Sequence, residues 1–589
     1  MCGIAGLISK NKLKESEKRS LNKIQDDLLM RGPDDAGSLE NESGNVILKH
    51  TRLAIQDLSS KGHQPMCYKN LSITFNGEIY NFKSIRKKLE QKGYCFNSNC
   101  DTEVILKAYH FWKEKCLTLL DGQFAFAIWD EEKQELFTCR DPYGKKPFYY
   151  ALTNEGFWFS SYLPSLVKYS NIPRSLDKEA VYFYYAMNII PAPYTPFKEF
   201  RKLEAGHSLT VKLSKDKSKI STYQNKYFSI KFKEDKLDLP EETIIEEIRT
   251  KLKDSVSKRL KSDVNTGVWL SGGLDSSLIV AIAKEELNEE ISTFSIGFEK
   301  VKENLGDEYK YSDFVANNYN TRHHKLFIPT KEVKENLLDC YATLNEPIHI
   351  YDMIGHYFLS KYAPKNLKVA FSGVGADEIW LGYPWEQKIK DFTLPPHETF
   401  LFFLKQKEDL SEYINPSYIK ENTATKFIYD YFEKQDSEEV SEFEKVLEGE
   451  ISIFLVEECL KKTDSTSLRH GVEIRSPFLD LDLIEYSTNI PVDLKCKNGT
   501  TKYLMKKIAE KYYPKDFVYR EKGYFPVAPI KYLIPTIKDF CKEILENIDS
   551  DIYKMDFIKK LLKKENNTEN EIKILWSITC FEIWIKQFD

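Results

Sequence analysis

The pattern of hydrophobic and polar positions changes character along the chain. Over the first 200 or so residues it is strand-like, with short aromatic and β-branched runs broken by polar turns. LSITFNGEIYN (71–81) reads as a strand running into a turn, and QFAFAIWDEEKQELFTC (123–139) and FYYALTNEGFWFSS (148–161) read as hairpins. Residues 214–240 are polar and Lys-rich, end at Pro240 and read as a candidate linker with room for one strand. The period then becomes helical: Ile244, Ile248, Leu252, Val256 and Leu260 recur every fourth residue. TGVWL, SGGLDSS and SLIVAIAKEEL follow as strand, glycine-rich turn and helix, the opening unit of a parallel α/β domain. ISTFSI and LKVAF are further buried-strand candidates, and beyond about residue 385 the pattern is mostly that of helices with charged faces.

Length adds a division. At 589 residues the chain exceeds the roughly 250–300 that one core supports. Two domains are expected, at 2–210 and 240–589. Charge removes partners: 85 basic residues against 90 acidic give no reason to expect nucleic acid or a membrane surface. No apolar stretch approaches the ~20 residues that cross a bilayer. The first apolar run stops at Lys10 with no basic segment before it, unlike a signal peptide. Eleven scattered cysteines without a CxxC pair suggest no zinc site and fit a reduced, cytoplasmic protein.

SGGLDSS (271–277) carries the first candidate chemistry. Gly272 and Gly273 let backbone approach a ligand, and the N–H groups opening the next helix favour an anion. Ser271, Ser276 and Ser277 add hydroxyls, and Asp275 suits a bridging Mg²⁺. The same residues also suit a plain tight turn, and the Lys of a Walker loop is missing. A second glycine-bearing loop, FSGVGADEIWLGY (371–383), offers Asp377 and Glu378 after another strand and makes two plain turns a poor explanation.

These segments resemble a known family. SGGLDSS is similar to the pyrophosphate loop of the ATP-pyrophosphatase superfamily, and SGVGADE to the SGEGADE loop of asparagine synthetases. HGVEIRSPFLD (470–480) and TKYLMKKIAEKYYP (501–514) resemble later segments of that family. MCGIAGL, RGPDD, HTRLAIQDLS, NGEIYN and CDTE resemble its glutaminase half, in the family's order. The resemblance implies an N-terminal-nucleophile αββα sandwich followed by a parallel-sheet synthetase domain, a possible homodimer, and loss of Met1 to expose Cys2. A terminal α-amine titrates about 2.5 units below a lysine and sits covalently beside the sulfur, so it serves as the base a thiol needs.

By the same resemblance Cys2 attacks the glutamine amide while Asn76 and Gly77 stabilise the oxyanion. Arg52 clamps the α-carboxylate, and Glu78 and Asp101 hold the ammonium. Arg31 to Asp34 are read as loop structure near this site. In the second half Leu270, Ser271, Gly272, Gly273, Asp275, Ser276, Ser372 and Gly373 would surround ATP and pyrophosphate. Asp275 and Asp377 would ligate Mg²⁺, and Lys502 would neutralise phosphate charge during adenylation of a carboxylate, aspartate foremost. Two positions depart from the family: Val374 stands where a glutamate is usual, and Ile350 where an aspartate is usual in NEPIHIYDMIG (345–355). Another carboxylate acceptor (a sugar acid, a peptide or a secondary-metabolite precursor) therefore stands as the alternative, with Asp352 or Glu378 as stand-ins. Glu473 and Arg475 are read as a structural ion pair. His323 and His324 are read as polar positions beside the nucleotide.

Overall fold

A computed structural model describes residues 2–287, 290–299, 308–389, 394–404, 410–419, 423–434, 440–521 and 534–588. The first half is built on strands β1 (Gly3–Ser9), β2 (Asp35–Glu40), β3 (Val46–Arg52), β4 (Met66–Tyr68), β5 (Leu71–Ile79) and β6 (Gly122–Asp130). Strands β7 (Glu135–Arg140), β8 (Tyr149–Leu152), β9 (Gly156–Ser160), β10 (Arg201–Lys202), β11 (His207–Leu213) and β12 (Ile220–Lys226) complete it. They form two antiparallel sheets, ordered β10-β8-β9-β1-β3-β2 and β12-β11-β7-β6-β5-β4. Ile4, Ile8 and Leu48 from one sheet meet Ala127, Trp129 and Val211 from the other in a shared core. The helix Glu15–Leu28 packs Leu21, Ile24 and Leu28 onto the outer face of the first sheet. Helices Phe82–Glu90 and Asp101–Trp112 cover the second. The result is the αββα sandwich. Both hairpins form as read, β6 with β7 and β8 with β9. The candidate linker holds β12, which pairs with β11 along seven residues, so the second sheet continues past residue 210.

The second half opens with the helix Glu241–Leu260, whose fourth-residue stripe is buried at Ile244, Ile248, Leu252 and Val256. Strands β13 (Asn265–Trp269), β14 (Ser292–Phe298), β15 (Arg322–Ile328), β16 (Leu367–Phe371) and β17 (Glu473–Arg475) make a parallel sheet in the order β15-β14-β13-β16-β17. Progress along the sheet reverses between β13 and β16. Loops leaving the two strands diverge there and open a crevice at their carboxyl ends, where ligands of such sheets bind. A long helix, Glu442–Gly449, continues through a π-helical stretch, Glu450–Leu460, into Lys461–Leu468. π-helical turns recur at functional sites, and this one faces both the crevice and the sandwich.

Buried charge joins the halves. Lys202 Nζ of β10 lies 2.9 Å from Glu346 and 2.7 Å from Glu457, and Lys461 lies 3.1 and 2.7 Å from the same two carboxylates. Asp464 receives Arg31 and Lys146, each at 3.1 Å. All seven side chains are nearly closed to solvent, so removing one partner strands a charge. Among the described residues no helix is long and apolar enough to cross a membrane.

Candidate active sites

Cys2 directly precedes β1 and is 7% exposed. Burial pushes its thiol up, against a backbone N–H from Leu53 and the Arg52 guanidinium. The thiol lines a pocket of about 380 Å³ with Arg52, Gly62, Gly77, Glu78 and Asp101. Arg52 ends β3, where its guanidinium is fixed by the carbonyls of Ser59 (3.0 Å), Gln56 (3.1 Å) and Asp57 (2.5 Å). A Cβ on Gly62 would stand 2.0 Å from Arg52 Nη2, so only glycine leaves room for this arginine. Asn76 and Gly77 lie on β5, with Gly77 at φ +154° and no room for a Cβ, which would meet the Gln123 carbonyl at 2.1 Å. Ser161 accepts from the Asn76 side-chain amide (3.4 Å) and from the Ile4 N–H (3.1 Å), tying β5 to β1 beside the thiol.

The opposite wall is acidic. Asp101 opens its helix and accepts the Ile79 N–H at 2.9 Å, yet burial raises its carboxyl to about 6. Burial and Asp101 raise Glu78 well above the usual range, and Arg475 opposes them from 3.2 Å. The carboxyls and the fixed guanidinium give the pocket one end suited to a cation and one suited to an anion. Arg31 lies near as read: its Nε donates to the Cys2 carbonyl at 3.4 Å while Nη2 holds Asp464.

In the crevice, Gly272 adopts φ +80° and Gly273 starts the helix Leu274–Glu286. Ser271 Oγ lies 3.1 Å from Ser276 Oγ and accepts the Gly273 N–H at 3.2 Å, closing the turn. Leu270 ends the strand, its N–H donating to the Phe294 carbonyl at 2.8 Å. From the neighbouring loop Gly373 comes so near that a Cβ there would lie 2.9 Å from that of Asp275. The Ser372 N–H donates to the Arg475 carbonyl at 2.9 Å. Lys502, in left-handed backbone at φ +50°, sends its ammonium between Asp275 (2.6 Å) and Asp377 (2.7 Å), and the two carboxylates raise its pKa. One cation thus already reaches both carboxylates, which fits a divalent ion sharing them. No cluster of three or more metal-ligating side chains occurs among the described residues. Mg²⁺ commonly takes its remaining ligands from phosphates and water.

Several residues of the sites escaped the sequence reading. Arg520 Nη2 donates to the Gly272 carbonyl at 2.7 Å and its guanidinium stacks 3.6 Å over Tyr311. A narrow hollow beside Ser271 is lined by Trp269, Phe294, Ser295, Ile296, Glu308 and Tyr309. His324, which the sequence did offer as a polar position beside the nucleotide, stacks on Phe294 at 4.7 Å. None of these stands in a glycine-rich signature, and only the parallel sheet brings them to one edge. Glu473 and Arg475 do pair, at 2.8 Å, but Glu473 also lines the Cys2 pocket. The suggested stand-ins are engaged: Glu378 accepts the Tyr383 hydroxyl (2.9 Å) and the Cys459 thiol (3.3 Å), and Asp352 holds Lys462 at 2.7 Å. Val374 is half-buried against the core, as is Ile350.

Comparisons with known proteins agree with this division. A glutamine amidotransferase domain model matches residues 1–226 and an asparagine synthase model residues 247–586. Asparagine synthetase [glutamine-hydrolyzing] 1 of Bacillus subtilis (strain 168) is 32% identical, covering 99% of this chain and 96% of its own. Asparagine synthetase [glutamine-hydrolyzing] 3 of the same organism is 29% identical over 98% and 95%. The Gallus gallus asparagine synthetase [glutamine-hydrolyzing] is 29% identical over 90% and 85%. An N-terminal-nucleophile sandwich with Cys2 in its pocket, joined to a twin-loop parallel sheet and matched end to end by these relatives, makes the chain a member of the glutamine-hydrolysing asparagine synthetase family.

Proposed function

We propose that the protein makes asparagine from aspartate, glutamine and ATP. The observation that carries this reading is the presence, in one chain, of a thiol pocket with charged ends and a glycine-lined crevice whose two carboxylates share one cation. With Met1 removed, the Cys2 amine takes the thiol proton and the thiolate attacks the glutamine side-chain amide. Asn76 and Gly77 receive the oxyanion, and the amine returns the proton to the leaving nitrogen. Ammonia and a thioester result, and water releases glutamate from the thioester. Arg52 holds the glutamine carboxylate, and Glu78 and Asp101 its ammonium.

In the crevice aspartate attacks the α-phosphorus of ATP, forming an acyl-adenylate and pyrophosphate. Ser271, Gly272, Gly273, Ser276, Ser372 and Gly373 cradle the departing phosphates. Asp275 and Asp377 would hold Mg²⁺, which supplies positive charge to the phosphates; Lys502 adds a fixed ammonium to the same charge. Ammonia attacks the adenylate and AMP leaves. A small hollow between the halves, lined by Gln123, Lys145, Thr463, Asp464 and Ser476, lies where an internal route would run. Such a route keeps ammonia from becoming ammonium in bulk water. The test supplies purified protein with glutamine, MgATP and single candidate acids, and follows pyrophosphate. Release stimulated by aspartate, with asparagine formed, supports the proposal. Release stimulated only by another acid moves the assignment to that acceptor, to which the apolar Val374 and Ile350 leave room.

A further inference from the structure

The segment 470–480 stands in the synthetase half, yet its strand β17 reaches the glutaminase pocket. Arg475 is wholly buried and joins two carboxylates: its Nε donates to Glu473 Oε1 at 2.8 Å and its Nη2 lies 3.2 Å from Glu78 Oε2. Each carboxylate then has one oxygen left. Glu473 Oε2 and Glu78 Oε1 are both buried, and neither has a hydrogen-bond partner among the described residues. Both residues line the Cys2 pocket, with Asp101 beside them and Arg52 among the other lining groups. A buried, unpaired carboxylate oxygen is expensive, and structures keep one where a ligand satisfies it. Three carboxylates stand against Arg475 at this end of the pocket, with the chain's terminal ammonium as another nearby positive charge.

Resting on the glutamine reading above, we propose that Glu473 is an ammonium-binding residue of the glutaminase site. The synthetase half contributes it, and Arg475 aims it. The glutamine α-ammonium has three N–H donors, and Glu473 Oε2, Glu78 Oε1 and the Asp101 carboxylate offer three acceptors. Arg475 reaches both of the first two residues, hydrogen-bonding Glu473 and lying in ion-pair contact with Glu78, which a lysine could not do with the same geometry. The glutaminase pocket is therefore complete only when β17 is docked. Its β16 neighbour leads directly into the phosphate-side loop, whose Ser372 N–H rests on the Arg475 carbonyl.

The test compares full-length wild type with Glu473→Gln on two substrates, glutamine and 4-carbamoylbutanoate, which is glutamine without its α-amine. Glutaminase turnover is read as the acid or ammonia released. The glutamine KM is expected to rise about 10- to 100-fold in the variant, the size of a lost charge-assisted contact. Its kcat/KM for 4-carbamoylbutanoate should stay within about twofold of wild type. Glu473→Asp, which keeps the charge and shortens the reach, should fall between the two and serves if the glutamine variant fails to fold. Equal losses on both substrates, or an unchanged glutamine KM in either variant, would overturn the assignment. A wild-type protein that releases no glutamate at all would instead defeat the glutaminase reading itself.

Discussion

The Cys2 pocket and the phosphate crevice hold charge by opposite means. In the pocket the charged side chains are closed off, with Glu78 and Arg52 only 3% and 6% exposed and each already fixed by a partner. In the crevice the ligand-facing parts are mainly backbone: two glycine-bearing loops at a strand switch, with Asp275 and Asp377 left 18% and 24% open. On the function proposed above, the difference follows the ligands. An amino acid has two opposite charges a few ångströms apart, so it is read by side chains of fixed position. A triphosphate has many equivalent oxygens, so main-chain N–H groups and one mobile cation suffice. Substitutions should therefore act through single groups in the pocket and through approach distance in the crevice.

The sharpest break comes from Cys2→Ala. Glutamate release from glutamine should disappear, by at least about 10³-fold, because Cys100, the other thiol lining the pocket, has no terminal amine beside it and is pushed up to about 11 by burial. Synthesis driven by added ammonium should persist, since the crevice shares no side chain with the thiol. Loss of both activities would show that the two regions are one site. Lys502→Met cuts the other way. Removing the ammonium leaves Asp275 and Asp377 facing each other without it, and pyrophosphate release should fall about 10²- to 10³-fold with either nitrogen source. Glutamine hydrolysis in the absence of ATP should not change, which a coupled assay for glutamate would record.

The comparison also explains what could be read before the fold was known. SGGLDSS and SGVGADE were legible because a backbone-built site writes itself into local sequence: glycines where chains approach, serines at the helix start. Both hairpins and the stripe from Ile244 to Val256 were legible for the same reason, since their period lies within a few residues. Cys2, Asn76 and Arg52 were readable only through motif resemblance; nothing local distinguishes Arg52 from a surface arginine. Glu473 was assigned to structure alone because its partner Arg475 is two residues away, whereas Glu78, the other carboxylate on that arginine, lies almost 400 positions away, and no local pattern encodes a contact across the two halves. The strand β12 hid in a polar run because it is an edge strand with six of its seven residues exposed, so it has no apolar alternation to show.

A smaller effect tests the crevice through distance. Gly373→Ala would place a Cβ 2.9 Å from that of Asp275 and 3.4 Å from the Ser276 N–H. Neither group is the far end of a flexible chain, so the loops must part. Overpacking of this kind costs about 1–3 kcal/mol. If it falls on the bound state, the KM for ATP rises roughly 5- to 100-fold with glutamine hydrolysis unaltered. An unchanged ATP KM would mean that the loops already separate when nucleotide binds.

The mildest perturbation is pH, and it acts on the pocket alone. The Asp101 carboxyl sits at about 6, raised by burial, so it is ionised above that pH and protonated below it. Binding of an ammonium needs the ionised form. The kcat/KM for glutamine should therefore fall as pH drops from 7 to 5 by up to about tenfold beyond the fall that protonation of the terminal amine brings, and Asp101→Asn should remove that extra share while lowering the plateau. Stability runs the other way. Between the ordinary carboxyl value of ~3.9 and about 6 the folded chain holds a proton that the unfolded chain has lost, so this residue's contribution is full at low pH and disappears as pH rises through about 6. The pocket is thus destabilised under the conditions in which it binds best, and saturating glutamine should raise the melting temperature more at pH 7 than at pH 5. The crevice, whose Lys502 is held fully charged across that range by its two carboxylates, should show no such limb in ammonium-driven synthesis once the supply of free ammonia is held constant.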